Sequence, residues 1–357
     1  MNETSKALKS DIEKIIKISL AKLDKDNIVS IYLYGGYGRG EGSWVIEEIN
    51  GLREVKPFND YDIALIVKKK FPLEKLRQLE SELKNHLDVK WIDLCQYTKL
   101  NLKLFKVTIK NYDFKYASKW IYGRSDMLEY IPVMNVKSIS LKDVETLYIT
   151  RLWTLIGSFP VEGLVQMSKE KEMFFRNQMA KGILAIVDCV LLLNKEYDPS
   201  YKKRVQKIAN YSNDIELLDL ANWALKEKLN PRSVGMEDKQ VLDLYTNVRK
   251  LFFKYFYSTL SRRYNYKISK PEDVYTFIKY NPLNLIKEKI KKFVFNDNRN
   301  ELHMYLLALQ GYIAFYYFEM TPERLEIIQH IVEKRFSFKS GNFEEIRLKV
   351  ADLRASL

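Results

Sequence analysis

Two aspartates, Asp60 and Asp62, flank Tyr61 at the head of the run "YDIALIV" (61–67). The run is apolar and rich in strand formers, which predicts a buried strand, and on a strand residues two apart point to the same face. Both carboxylates would then project together, and like charges held that close repel unless a cation lies between them. Magnesium suits such a pair, because it is held by one or two carboxylates together with substrate phosphates. A third acid, Asp93 in "WIDLC", falls inside another predicted strand between apolar neighbours. A lone carboxylate is costly there without a metal or a hydrogen-bond partner. If that strand lies beside 61–67, the three carboxylates could hold two ions about 4 Å apart, the arrangement used for in-line phosphoryl or nucleotidyl displacement.

Upstream stands "IYLYGGYGRGEGSW" (31–44), with five glycines and Arg39 following a strand-forming run. Bare backbone of this kind serves either a phosphate cradle, in which amide N–H groups approach an anion, or a plain flexible turn. The glycines alone do not choose between the two. Glu41 reads as a capping acid at a helix N-terminus in preference to a catalytic role, and Asp88 as a solvated acid at a helix-to-strand turn.

The elements that must position these groups alternate. Ile and Leu recur at three- and four-residue steps over 5–23, predicting an amphipathic helix, and "IVSIYLY" (28–34) predicts a strand. Residues 72–87 read as a helix opened by Pro72, and 89–97 as a strand with period-two alternation. The mixed segment 113–133 holds one more strand near Asp113 and a turn at Gly123. From about residue 141 the pattern is helical throughout, over 141–157, 174–195, 238–264 and 301–318. The fold class is therefore α/β plus all-α, with a mixed sheet and helices in 1–140 and a helical domain in 141–357.

A chain of 357 residues with 46% hydrophobic content, 13 glycines and 9 prolines can bury two cores, which excludes disordered and low-complexity classes. The formal net charge of +13 suits polyanionic partners, but the lysines are spread through every predicted helix instead of forming a tail or block. The longest clean apolar stretch, "GILAIVDCVLLL" (182–193), is too short to span a bilayer and carries Asp188. The N-terminal residues are charged rather than signal-like, so the expectation is a cytoplasmic protein with no membrane partner. Cys95 and Cys189 lack any metal-binding spacing, and His86, His303 and His330 stand apart from one another and from the acids.

A strand ending in Gly-Gly, then Asp-x-Asp opening the next strand, then one Asp on a later strand, resembles the DNA polymerase β-type nucleotidyltransferase superfamily. The version here is similar to two-domain prokaryotic members with a C-terminal helical domain, and the resemblance covers residues 28–97. It implies a polymerase β-like catalytic domain that moves a nucleoside monophosphate from a nucleoside triphosphate such as ATP to a hydroxyl or phosphate, releasing pyrophosphate. It also implies that Gly35 and Gly36 offer amides to the triphosphate and that Arg39 reaches phosphate oxygens. Asp60 and Asp62 would bind two magnesium ions; Asp93 would hold the catalytic one and help deprotonate the acceptor. Lys181 and Tyr197 look like the cation and hydroxyl that the helical domain of such enzymes closes over the nucleotide. Gly36 stands where the superfamily more often has Ser, and residues 43–58 lengthen the gap to Asp60. A small-molecule or glycan-intermediate acceptor is the first reading. Transfer to RNA or a protein side chain, and a non-catalytic nucleotide- or RNA-binding module, remain open beside it.

Overall fold

The computed structural model describes residues 3–49, 52–58, 60–87, 89, 91–159, 167–280 and 299–353. Asp88 lies outside them. The chain opens with α1 (Glu3–Lys22) and β1 (Ile28–Tyr34), which runs directly into one helical turn, α2 (Gly35–Gly38). The 43–58 segment is an antiparallel hairpin, β2 (Trp44–Ile49) and β3 (Leu52–Pro57), in register from Trp44 opposite Pro57 to Ile49 opposite Leu52. Then come β4 (Tyr61–Val67), α3 (Leu73–Leu87), β5 (Ile92–Thr98), α4 (Lys99–Lys103), α5 (Ile109–Ala117) and β6 (Lys119–Gly123).

Four of these strands make one mixed sheet in the order β5-β4-β1-β6. β4 and β5 are parallel, joined across α3, while β1 is antiparallel to both β4 and β6. The period-two rule sorts the side chains onto two faces. Ile31, Leu33, Tyr61, Ile63 and Leu65 pack with Ile15 of α1 and Leu79 and Leu83 of α3. Tyr32, Tyr34, Ala64 and Ile66 pack on the other face with Leu102 of α4 and Phe114 of α5. Strands covered on both sides read as nearly continuous apolar runs, and β1 and β4 do.

The strand expected near Asp113 is corrected: residues 109–117 are helical and the strand follows at β6. Ile109, Tyr112, Phe114 and Tyr116 have strand-forming character, but Thr108 accepts a hydrogen bond from the Asn111 amide at 3.2 Å and caps the helix instead.

The remaining elements are helices: α6 (Lys142–Gly157), α7 (Lys169–Leu193), α8 (Tyr201–Ile208), α9 (Ile215–Leu229), α10 (Asp238–Tyr264), α11 (Pro271–Tyr280), α12 (Arg299–Phe315), α13 (Pro322–Phe336) and α14 (Phe343–Asp352). Cα proximity divides the chain into two compact units: Met1–Ser140 with Asn194–Tyr211 and Leu225–Arg232, and Leu141–Leu193 with Ser212–Ala224 and Ser233–Leu357. The second is a helical bundle in which α7 is buried almost all round, from Phe175 to Leu192, as expected of a central helix. Among the described residues no helix is long and apolar enough to cross a membrane.

Glu41 is nearly fully buried, and its carboxylate caps α8 within the first unit. It accepts hydrogen bonds from Ser200 Oγ at 2.7 Å and from the amides of Tyr201 and Lys202 at 2.8 and 3.1 Å. Glu41→Ala should therefore cost about 2 kcal/mol, since it removes a charged cap and leaves those donors unmet. Glu41→Gln, with one acceptor oxygen left, should lose roughly half as much; urea midpoints of the two variants would check the ranking.

Candidate active site

Strand direction gathers the acids. Because β1 is antiparallel to β4, its end meets the start of β4, and Tyr34 pairs with Asp62. Because β5 is parallel to β4, its start lies at the same end, and Asp62 pairs with Asp93. Paired residues on neighbouring strands share a face, with backbones about 4.8 Å apart. Asp62, Asp93 and Tyr34 therefore stand side by side on the face that α5 covers, and Asp60 lies two residues before Asp62. Asp93 is exposed, whereas Asp60 and Asp62 are half-buried.

The electrostatics follow from burial first and from that crowding second. Burial pushes the Asp62 carboxyl up to about 8, with the charges of Asp60 and Asp93 adding to the rise and Arg39 and Lys228 opposing it. The phenol of Tyr34 is also held well above its ordinary value, first by burial and then by Cys95, Asp62 and Asp93. Tyr61, on the opposite face, is anchored: its hydroxyl donates to Asp11 Oδ2 of α1 at 2.7 Å, and its ring lies 4.4 Å from that of Tyr37. Tyr37 in turn donates to the Ser43 carbonyl at 2.6 Å, so the Asp-Tyr-Asp segment is held from behind by buried contacts.

The glycine turn adjoins this corner. Gly35 has φ +62°, and a Cβ built there would fall 1.8 Å from Asp62 Oδ2. Only glycine leaves room for the carboxylate at that point. Gly36 is under no such demand, for a Cβ would meet ordinary neighbours, the nearest being the Glu41 carbonyl at 3.4 Å. The two glycines that sequence reading treats alike thus differ.

Arg39 is held inside a buried polar cluster of the first unit. Its Nη1 lies 3.4 Å from Asp113 Oδ2 and its Nε 3.7 Å from Glu41 Oε2, and its guanidinium stacks 4.7 Å over the Tyr201 ring. The Tyr197 hydroxyl sits 3.0 and 3.1 Å from the two Asp113 oxygens, with Arg204 Nη1 3.3 Å away on its other side. Tyr197 therefore belongs to the same compact unit as the carboxylates, while Lys181 lies on α7 in the second unit. Sequence reading missed Asp113, Arg204 and Lys228. Lys228, almost fully buried on α9, donates to Ser43 Oγ at 3.2 Å and is among the cations that oppose the rise at Asp62. A lysine at that depth is the signal, but burial is not written in a local stretch such as "WALKEKL".

Asp60, Asp62 and Asp93 carry hard carboxylate oxygens, the kind magnesium takes, in a corner where burial first and the neighbouring carboxylates second raise Asp62 to about 8. Among the described residues no group of three or more His, Cys, Asp or Glu side chains is arranged to hold a metal ion.

No protein-family model matches the sequence, and no curated protein matches it either. Among solved structures it is similar to a spectinomycin adenyltransferase from Enterococcus faecialis crystallised with ATP and spectinomycin, at 15% identity and a TM-score of 0.37, over 67% of this chain and 98% of that one. At that degree of superposition the likeness says nothing of activity.

Two outcomes test the geometry. Gly35→Ala should destabilise the protein by about 2 kcal/mol or more, from positive φ and displacement of Asp62, while Gly36→Ala stays within about 1 kcal/mol; thermal unfolding compares them. In metal-free buffer the raised Asp62 means that the native state holds a proton the unfolded chain has lost. Stability should therefore fall as pH rises from the ordinary carboxylate range to about 8 and level off above it. Asp62→Asn should flatten that slope, and magnesium should offset the fall in the wild type.

Proposed function

We propose that the chain is a magnesium-dependent nucleotidyltransferase that moves a nucleoside monophosphate from a nucleoside triphosphate to a small-molecule acceptor, releasing pyrophosphate. The observation that carries the reading is the pairing of Asp62 with Asp93 on parallel strands, with Asp60 two residues away and Gly35 opening a turn against Asp62 Oδ2. A purely structural corner has no reason to concentrate three carboxylates, because each raises the cost of ionising the next.

Asp60, Asp62 and Asp93 would hold magnesium, which when bound neutralises charge on the phosphates and lowers the barrier to in-line displacement. The chain's own groups do the rest. The exposed carboxylate of Asp93 takes the proton of the acceptor hydroxyl as its oxygen attacks the α-phosphorus, while the bond to the bridging oxygen breaks and pyrophosphate departs. The amides of the Gly35–Gly36 turn, at the start of a helical turn, receive phosphate oxygens. Arg39 is pre-set by Asp113, Glu41 and Tyr201, so its charge is held in place beside the turn rather than recruited from solvent. Tyr197, in the same unit as the carboxylates, is proposed to act through Asp113.

Asp60→Asn, Asp62→Asn and Asp93→Asn should each lower transfer by about 10³-fold or more while keeping the far-ultraviolet circular dichroism of the wild type. The assay is magnesium with each labelled nucleoside triphosphate and a metabolite extract or total RNA, followed by pyrophosphate release and the fate of the label. No pyrophosphate from the wild type with any nucleotide and either extract would remove the reading. Label in RNA with the metabolite fraction blank would replace the acceptor class.

A further inference from the structure

The helical unit carries a cleft of about 470 Å³ that the proposed transfer chemistry does not use. It runs along α10, where Arg249, Phe253 and Tyr257 form one four-residue row and Lys250, Lys254 and Ser258 the next, so cations, aromatic rings and a hydroxyl lie side by side. Phe315 at the end of α12 closes the opposite wall, its ring 5.1 Å from that of Phe253 in an edge-to-face contact. The volume is that of a small-molecule site, and its lining pairs apolar walls with a few charged groups.

The charges set the ligand. Arg249 is fixed, with Nη1 donating to the Phe315 carbonyl at 3.0 Å, and a guanidinium so tied still has N–H donors to spare. Lys254 is partly neutralised by Asp214 at 2.6 Å, and Glu319 adds one more carboxylate to the lining, while Lys250 stands exposed on the α10 row. With Lys254 offset by Asp214 and, at longer range, by Glu216, the lining leaves Arg249 and Lys250 against Glu319, an excess of one positive charge at most, suited to one phosphate group and short of what a polyphosphate or a nucleic acid backbone needs. The partly exposed ring of Phe315, backed by the buried ring of Phe253, offers the apolar surface for a planar group attached to it.

We infer that this cleft binds a small aromatic phosphate monoester, of the nucleoside-monophosphate or aryl-phosphate class, at a site within the helical unit and separate from the carboxylates. The site needs no magnesium, because its charge is supplied by side chains. The two readings can thus fail independently.

The test is calorimetric titration of the full chain with phenyl phosphate in EDTA. Saturable binding at one site per chain is expected, weakened about tenfold or more by Lys250→Glu and by Ser258→Asp, and unchanged by Asp60→Ala. Inorganic phosphate and phenol should each bind more weakly than phenyl phosphate. Lys250 and Ser258 are both exposed, so the two variants should keep the wild-type unfolding temperature; Lys250→Gln, which removes charge without adding any, gives a milder loss and stands in if either variant is unstable. Absence of saturable binding, equal binding in the cleft variants, or loss in Asp60→Ala would overturn the inference. Binding of an oligoribonucleotide without binding of phenyl phosphate would also overturn it and mark a nucleic-acid surface instead.

Discussion

Burial of a carboxylate at one end of a sheet, with two more carboxylates beside it, is the constraint that the surroundings of Asp62 answer. Asp62 cannot stay ionised there unaided, as its rise to about 8 records. The fold answers with cations brought from distant segments, Arg39 from the glycine turn and Lys228 from α9, both of which act against the rise. Neither cation forms a direct ion pair with Asp62 among the described contacts: Arg39 is pledged to Asp113 and Glu41, and Lys228 reaches Ser43. A carboxylate offset by charges that do not touch it keeps its oxygens available for something else.

The neighbouring cluster shows how far the fold goes to keep those charges in place. Arg39, Asp113, Tyr197 and Arg204 form a chain of charge-assisted contacts, and the Tyr201 ring lies between the two guanidiniums at 4.7 and 4.2 Å. Two arginines near each other would repel, and the aromatic face between them, with its negative quadrupole, offsets part of that cost. Glu41 completes the arrangement by capping the helix that carries Tyr201 and Arg204. Partly satisfied networks of this kind are costly, so the number of partners around Arg39 argues that its position matters more than its contribution to stability.

How much of this was readable from sequence depended on whether the cause was local. The runs 28–34 and 61–67 are strands at those bounds, because short runs dominated by β-branched, aromatic and other apolar residues favour a strand at that length. The adjacency of the Asp62 and Asp93 strands was a conditional, and the parallel register supplies it. Glu41 as a helix cap was readable in kind, but the helix it caps begins 160 residues later, which no spacing rule could identify. The strand expected near Asp113 lies a few residues later, at 119–123, for a local reason: the aromatic side chains of Tyr112, Phe114 and Tyr116 have strand-forming character, but the Thr108 cap makes 109–117 a helix. Asp113, Arg204 and Lys228 were out of reach because their meaning is entirely tertiary.

The glycine-rich turn has two causes that the sequence presents as one. Gly35 must be bare because Asp62 occupies the space a side chain would need, and Gly42 because a Cβ there would strike the Tyr37 ring at 2.1 Å. Those demands come from packing, and they hold whether or not an anion ever approaches. Gly36 is different: its backbone is not in the left-handed region, and the nearest atom to an added Cβ is 3.4 Å away, so packing alone tolerates a small side chain there. If bare backbone at this turn serves a phosphate, Gly36 is the position where that need can be separated from the fold's own, since a residue the core does not require to be glycine owes its smallness to whatever comes to lie against it.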